Sequence, residues 1–385
     1  MSLSNRRLRF TSAIGVVCVF VTSTAWSVTA VETAGAQSRS PYTIVEETQL
    51  SGTANQAPVA PEASAAFKAA FAGTPAKIVV CDDQGTTTGN IECQHEAVAD
   101  HAVAFTVGQS NQDQSVVDKA NIPVVGVAND TSPQSFDISG QQGYFAGMAV
   151  ALHKLGCKRL GQLVAEGGQS YADQTAKAEP WQSVTDAFMP LGAPDVSPEV
   201  AKLVQAHVQC ADIATVGSQI GQVLTAMKQA GLHVPVALPG AVVTTQEQQS
   251  LGSLGNGLIL VETTPPLSSP AVAAVAKKMH KVDKSITIDA LSLTGWVNAR
   301  IIQDGIAGVH GQVTNTSLMK ALNKLRNANT DGLYPPISMK PGSNPAAVRD
   351  FDTYVNTVVL KNGQMTQPSG FFNVGPEINV ALTNR

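Results

Sequence analysis

At 385 residues, 43% hydrophobic and 14% charged, the chain is too long for one core and poor enough in charge to bury several strands. Its formal charge is −4 and no basic block occurs, which argues against nucleic acid as the partner.

The amino terminus reads as an address. Arg6, Arg7 and Arg9 precede the uncharged stretch Phe10–Val31, and Ala34-Gly-Ala36 supplies an A-x-A cleavage site before Gln37. Residues 1–36 are therefore expected to be a signal peptide. Its loss removes three arginines and Glu32, taking the charge from −4 to −6. An uncleaved anchor is the rival reading, because the uncharged stretch is long enough to span a bilayer, but its many Thr and Ser residues weigh against it. Export gives meaning to the four remaining cysteines, Cys81, Cys93, Cys157 and Cys210. Cys81 ends a strand and Cys93 lies in the next helix, so a local bridge is easy. Cys157 and Cys210 each stand just ahead of a strand, and a bridge forms if those strands are neighbours. Metal binding is the rival, but no C-x-x-C spacing occurs. Two disulfides in an oxidising compartment are expected.

Residues 37–41 read as a linker, then a βα rhythm begins. Tyr42–Gln49, Lys77–Val80, Ala102–Val107 and Ile122–Val127 read as strands, and Pro61–Phe71, Gly89–His101 and Ser115–Ala120 as helices. From Ser139 to Leu155, Phe145, Met148, Ala149, Leu152 and Leu155 recur at helical spacing, and Gly156 stops the run. The rhythm then resumes with strands Leu160–Ala165, Ile213–Val216, Val234–Leu238 and Leu258–Val261. Helices are expected at Ala172–Met189, kinked at Pro180, and at Glu199–His207, Gln219–Ala230 and Gln246–Ser250. Thr263-Thr-Pro-Pro266 is a rigid crossover. Pro270–Val282, Ile286–Val309 and Thr316–Arg326 follow as helices without strands. Tyr354–Leu360 alternates like a strand, Lys361-Asn-Gly363 signals a hairpin, and Phe371–Val374 follows it. Short strand–helix–strand connections mean parallel sheets, with function in the loops beyond the carboxyl ends of the strands. Two such halves joined by crossovers make a hinged protein with a cleft between them.

These features resemble the type I periplasmic binding proteins, particularly the branched-chain amino acid and amide receptors of ABC importers. The resemblance runs over about residues 42–375. It rests on Ile78-Val-Val-Cys-Asp-Asp83 with a Cys near the next helix, Ile122-Pro-Val124, the helix after Gly143, Gly167 to Tyr171, and Ile220-Gly-Gln-Val-Leu224 ahead of Gln229-Ala-Gly-Leu232. It implies an α/β fold of two Rossmann-like lobes, 37–135 with 265–332 and 136–264 with 333–385, joined by a three-strand hinge. It further implies a periplasmic or cell-envelope monomer that closes on one small polar ligand and delivers it to a membrane permease.

The family's contacts align with Ser110, with Ala128, Asn129, Asp130 and Thr131, with Tyr171, with Ser218 and Gln219 beside Gly217, and with Gly240. Where the family has an acid for the ligand's ammonium group, this chain has Pro239-Gly-Ala241. A buried ammonium without a carboxylate costs several kcal/mol by order of magnitude. Either Asp130 or Glu166 substitutes, or the ligand is not an α-amino acid. The bland readings stand beside these: Ser110 and Thr131 as caps, Tyr171 as helix packing, Asp130 and Glu166 as solvated acids, Trp181 and Trp296 as core. No cofactor is expected. Gly252-Ser-Leu-Gly-Asn-Gly257 has the wrong order for a dinucleotide fingerprint, Gly168-Gln-Ser-Tyr-Ala172 lacks the last glycine of a hydrolase elbow, and His95-Glu96 has no second His at metalloprotease spacing. The expectation is a binding protein rather than an enzyme, with a ligand sensor or surface protein on the same scaffold as the alternative.

Overall fold

In a computed structural model the described residues are 40–52, 60–107, 113–138, 141–215, 217–366 and 368–383. The expected signal peptide lies outside them. No helix among the described residues is long and apolar enough to cross a membrane.

The first lobe opens with β1 (Tyr42–Thr48), α1 (Ala60–Ala70), β2 (Ala76–Asp82), α2 (Thr87–Ala99), β3 (Ala104–Val107), α3 (Ser115–Lys119), β4 (Val124–Gly126) and β5 (Ser135–Asp137). The strands form one parallel sheet in the order β2-β1-β3-β4-β5. Ile44 and Val45 are buried on opposite faces of β1, as a strand covered by helices on both sides requires.

The second lobe runs through α4 (Gln141–Lys154), β6 (Arg159–Ala165), α5 (Gln169–Ala178), β7 (Ser183–Met189), α6 (Ser197–Gln205), β8 (Cys210–Ala214), α7 (Gly217–Gln229), β9 (Val236–Pro239), a 3-10 turn (Gly240–Val242), α8 (Thr245–Leu251) and β10 (Ile259–Glu262). Strands β6 to β10 are parallel. The chain then returns to the first lobe as α9 (Pro270–Val282), α10 (Ala290–Ala307) and α11 (Asn315–Lys324), whose apolar faces join α1 in one core. Capping fixes their starts: Ser269 accepts from Val272, with Pro270 behind it, and Asp289 and Thr314 each make a reciprocal box with a serine three residues on. Finally β11 (Tyr354–Lys361), β12 (Gln364–Thr366) and β13 (Phe372–Asn373) add antiparallel strands to the second sheet, and α12 (Gly375–Thr383) covers it. The turn between β11 and β12 places Asn362 and Gly363 at φ 50° and 73°, the left-handed pair that an Asn-Gly hairpin supplies.

Two parts of the sequence reading change. The helix expected over Ala172–Met189 ends at Ala178, and β7 follows. Glu179 is extended (φ −135°, ψ 154°), as the residue ahead of Pro180 prefers, so the proline breaks the helix rather than kinking it. The short polar edge strand β5 and the terminal α12 carry no signal strong enough to have been read. Leu333, Tyr334, Ile337 and Met339 pack into the core beside α10. Both disulfides form, Cys81–Cys93 and Cys157–Cys210. The second follows from the parallel pairing of β6 with β8, which sets Leu160 opposite Cys210.

Candidate functional site

The chain passes between the two sheets three times, and each passage uses the same end of each sheet. The first leaves the carboxyl end of β5 for α4, and the second leaves the carboxyl end of β10 for α9. The third enters β11, whose start lies opposite the end of β10 (Glu262 against Asn356), after Asp350 has bridged Asp137 at the end of β5. The carboxyl ends of both sheets therefore meet at one junction, the place where open α/β sheets bind ligands.

Hydrogen bonds tie the three passages together. Asn356 Nδ2 donates to the carbonyls of Glu262 (3.2 Å) and Thr264 (2.7 Å). The Tyr144 hydroxyl of α4 lies 3.1 Å from Thr263 Oγ1, and the Tyr334 hydroxyl lies 3.3 Å from Thr294 Oγ1 of α10. Arg349 is buried: Nε donates to the Ser135 carbonyl (2.6 Å), one terminal nitrogen donates to Asn323 Oδ1 (2.9 Å), and the guanidinium stacks on Phe136 and Phe351. The Arg349 backbone N–H donates to the Asp130 carbonyl (2.8 Å).

The junction is acidic. Burial pushes Glu262 up to about 8 and Asp352 up to about 7. Asp350 is raised well above the carboxylate range by burial, with the Asp130 and Asp352 charges adding to it. Burial and neighbouring acids also raise the Tyr144 and Tyr334 hydroxyls.

The residues singled out from sequence take the following places. Ala128 is buried beyond β4. Asn129 closes an Asx turn, its Oδ1 accepting from both the N–H and the hydroxyl of Thr131, while the Asn129 N–H donates to Gln114 Oε1. Asp130 accepts from Gln142 Nε2 at the start of α4 (3.1 Å), so this loop of the first lobe touches the second. Tyr171 lies in the first turn of α5, its ring stacked on Phe145 of α4 at 4.6 Å and 8°. Gln219 is buried and committed, accepting from Thr215 Oγ1 and donating to the Pro190 carbonyl. Glu166 is exposed. Ser110 lies outside the described residues, as does the side chain of Ser218. Trp181 and Trp296 donate their indole N–H groups to the Thr175 carbonyl and to Asp331 Oδ2 and pack in separate lobes.

Two acids that sequence reading missed occupy the ends of β8 and β9. A Cβ on Gly217 would collide with the carboxylate of Glu247, and a Cβ on Gly240 would collide with that of Glu262. Glu247 caps its own helix, accepting from the Thr244 N–H. Glu262 does no such duty: its Oε1 is buried without a hydrogen-bond partner. The sequence carries a signal for it, an acid closing the apolar run Leu258-Ile-Leu-Val-Glu262 at a strand's carboxyl end.

A family model described as periplasmic binding protein matches residues 48–355. No curated protein sequence matches the chain. Among solved structures, a substrate-binding periplasmic protein from Ralstonia solanacearum is 18% identical over 85% of this chain and 100% of its own, with a TM-score of 0.68. A leucine-binding protein from Thermotoga maritima is 17% identical over 86% of this chain and 99% of its own, also at 0.68. A solute-binding protein of an ABC transporter from R. palustris, in complex with benzoate, is 17% identical over 86% and 96%, again at 0.68. With the match spanning most of the chain, and with two largely parallel sheets meeting at a triple crossover, the chain belongs to the periplasmic binding protein family.

Proposed function

We propose that the chain is the extracytoplasmic solute-binding protein of an ABC importer, holding one small polar ligand between its lobes. The observation that carries this reading is the convergence of the carboxyl ends of both sheets on three crossovers. A ligand at that junction touches both lobes only when they are closed, so it draws the population toward the closed form. Family membership and the solute-binding neighbours support the same reading. Ala128 to Thr131, Tyr171, Gln219 and Gly240, with Ser110 and Ser218, are the proposed wall of the cleft. The lobes are proposed to divide as residues 40–137 with 270–339 and residues 141–262 with 354–383. The protein works as an exported monomer that presents its closed shape to a membrane permease, and it catalyses no reaction.

Small-angle scattering on the mature protein, with and without a solute that raises its melting temperature, tests this. The radius of gyration is expected to shrink on binding. A bound solute that leaves the scattering profile unchanged refutes closure.

A further inference from the structure

Arg349 of the third crossover is only 5% exposed, so its charge has been taken out of water. Its side-chain hydrogen bonds stay in the first lobe and go to neutral atoms. Nε donates to the Ser135 carbonyl at the start of β5, and Nη1 donates to Asn323 Oδ1 of α11. The guanidinium carbon lies 4.4 Å over the Phe136 ring and 4.9 Å over the Phe351 ring. Nη2, which carries two N–H donors, is buried and has no partner. Among the described residues no carboxylate oxygen lies within 4.0 Å of this guanidinium. Asp350, next in the chain, gives little relief. Burial raises it well above the carboxylate range, with the Asp130 and Asp352 charges adding to it, and this favours its uncharged form. Burial lowers Arg349 itself only to about 10, so the guanidinium stays protonated at neutral pH. Carbonyls and ring faces soften such a charge without cancelling it. A buried cation lacking both a counter-charge and an acceptor is costly. A water molecule on Nη2 would supply the acceptor alone, whereas an anion supplies both.

We propose that Arg349 Nη2 holds one small monovalent inorganic anion, of the chloride and bromide class, in a structural site of the first lobe. The site does not depend on the solute-receptor reading, because Ser135, Asn323 and both rings belong to the first lobe and its crossover. The class follows from closure. Nη2 is shut off from solvent, so its occupant is small and has shed its water. Sulfate and phosphate, with two charges to desolvate, lose more hydration than one guanidinium returns. In place, the anion adds a tie between the third crossover and the β5–α11 edge, alongside the Ser135 and Asn323 bonds.

Two measurements test the site. Sodium chloride is raised to about 50 mM against sodium sulfate at constant ionic strength, and the melting temperature is expected to climb by roughly 2 °C and level off. General exclusion of salt from the protein surface favours sulfate and predicts the opposite sign. Arg349→Met should abolish the climb. Crystals of the parent protein grown in sodium bromide, measured at the bromine absorption edge, should show an anomalous peak beside Nη2, and this readout serves if the variant does not fold. Water in place of bromide at Nη2 overturns the site. So does a climb that persists in Arg349→Met, or a melting temperature that stays flat or falls as chloride replaces sulfate.

Discussion

The Cys157–Cys210 bridge spans 53 residues and encloses β6, α5, β7 and α6, whereas Cys81–Cys93 spans 12. If a disulfide acts chiefly by restricting the unfolded chain, the long loop is worth about 4 kcal/mol and the short one about 3 kcal/mol. The paired substitutions Cys157→Ala/Cys210→Ala and Cys81→Ala/Cys93→Ala separate the two. Trp181 and Trp296 pack in separate lobes, so each tryptophan, kept alone by a Phe substitution at the other, reports on its own lobe. In urea, loss of the long-loop bridge should lower the Trp181 midpoint by roughly 1–2 M, for a slope of a few kcal/mol per molar. Loss of the short-loop bridge should move the Trp296 midpoint by less. A larger effect from the Cys81–Cys93 pair would refute the loop-entropy account.

Two further outcomes follow from the buried polar groups. Glu46, Glu47, Asp212, Glu262 and Asp352 are all raised, chiefly by burial, to between about 7 and about 9. Each folded value lies above its unfolded one, so the folded state holds the extra protons, and stability is greatest below about pH 4 for these groups and falls as pH rises toward 9. The urea midpoint should therefore drop between pH 5 and pH 8.5, and a rise over that range would contradict the burial of these acids. Arg349→Met should cost about 3 kcal/mol, because it leaves the Ser135 carbonyl and Asn323 Oδ1 without their donor, and a melting temperature within 2 °C of the parent would refute its role in pinning the third crossover.

Most of the strand–helix rhythm is legible because buried parallel strands leave continuous apolar runs, as in Leu160–Ala165 and Leu258–Val261. What fails to show is at the margins of the sheets. β5 has only Phe136 between Ser135 and Asp137, and it is a strand because β4 and the Arg349 segment flank it, not because of its own composition. β7 is an edge strand exposed over most of its first half, so its alternation is blurred, and the alanines of α5 ahead of it extend the helical reading past Pro180.

The site divides along a similar line. Loops that follow strands are readable, and Asn129 to Thr131 lies where that rule puts it, with Asp130 reaching α4. What no linear reading weighs is which atoms fill the space above a glycine. Pro239-Gly-Ala241 looks like the loss of a charged contact. In three dimensions Gly240 makes room for an acid, since any side chain there would expel the carboxyl of Glu262, 22 positions later in the chain. Position 240 and position 262 are therefore one unit, and they should fail as one. Gly240→Ala is expected to lower the urea midpoint, with little further loss when Glu262→Ala is combined with it. Additive losses would mean that the glycine and the acid act separately, and that the fit between them does not shape the site.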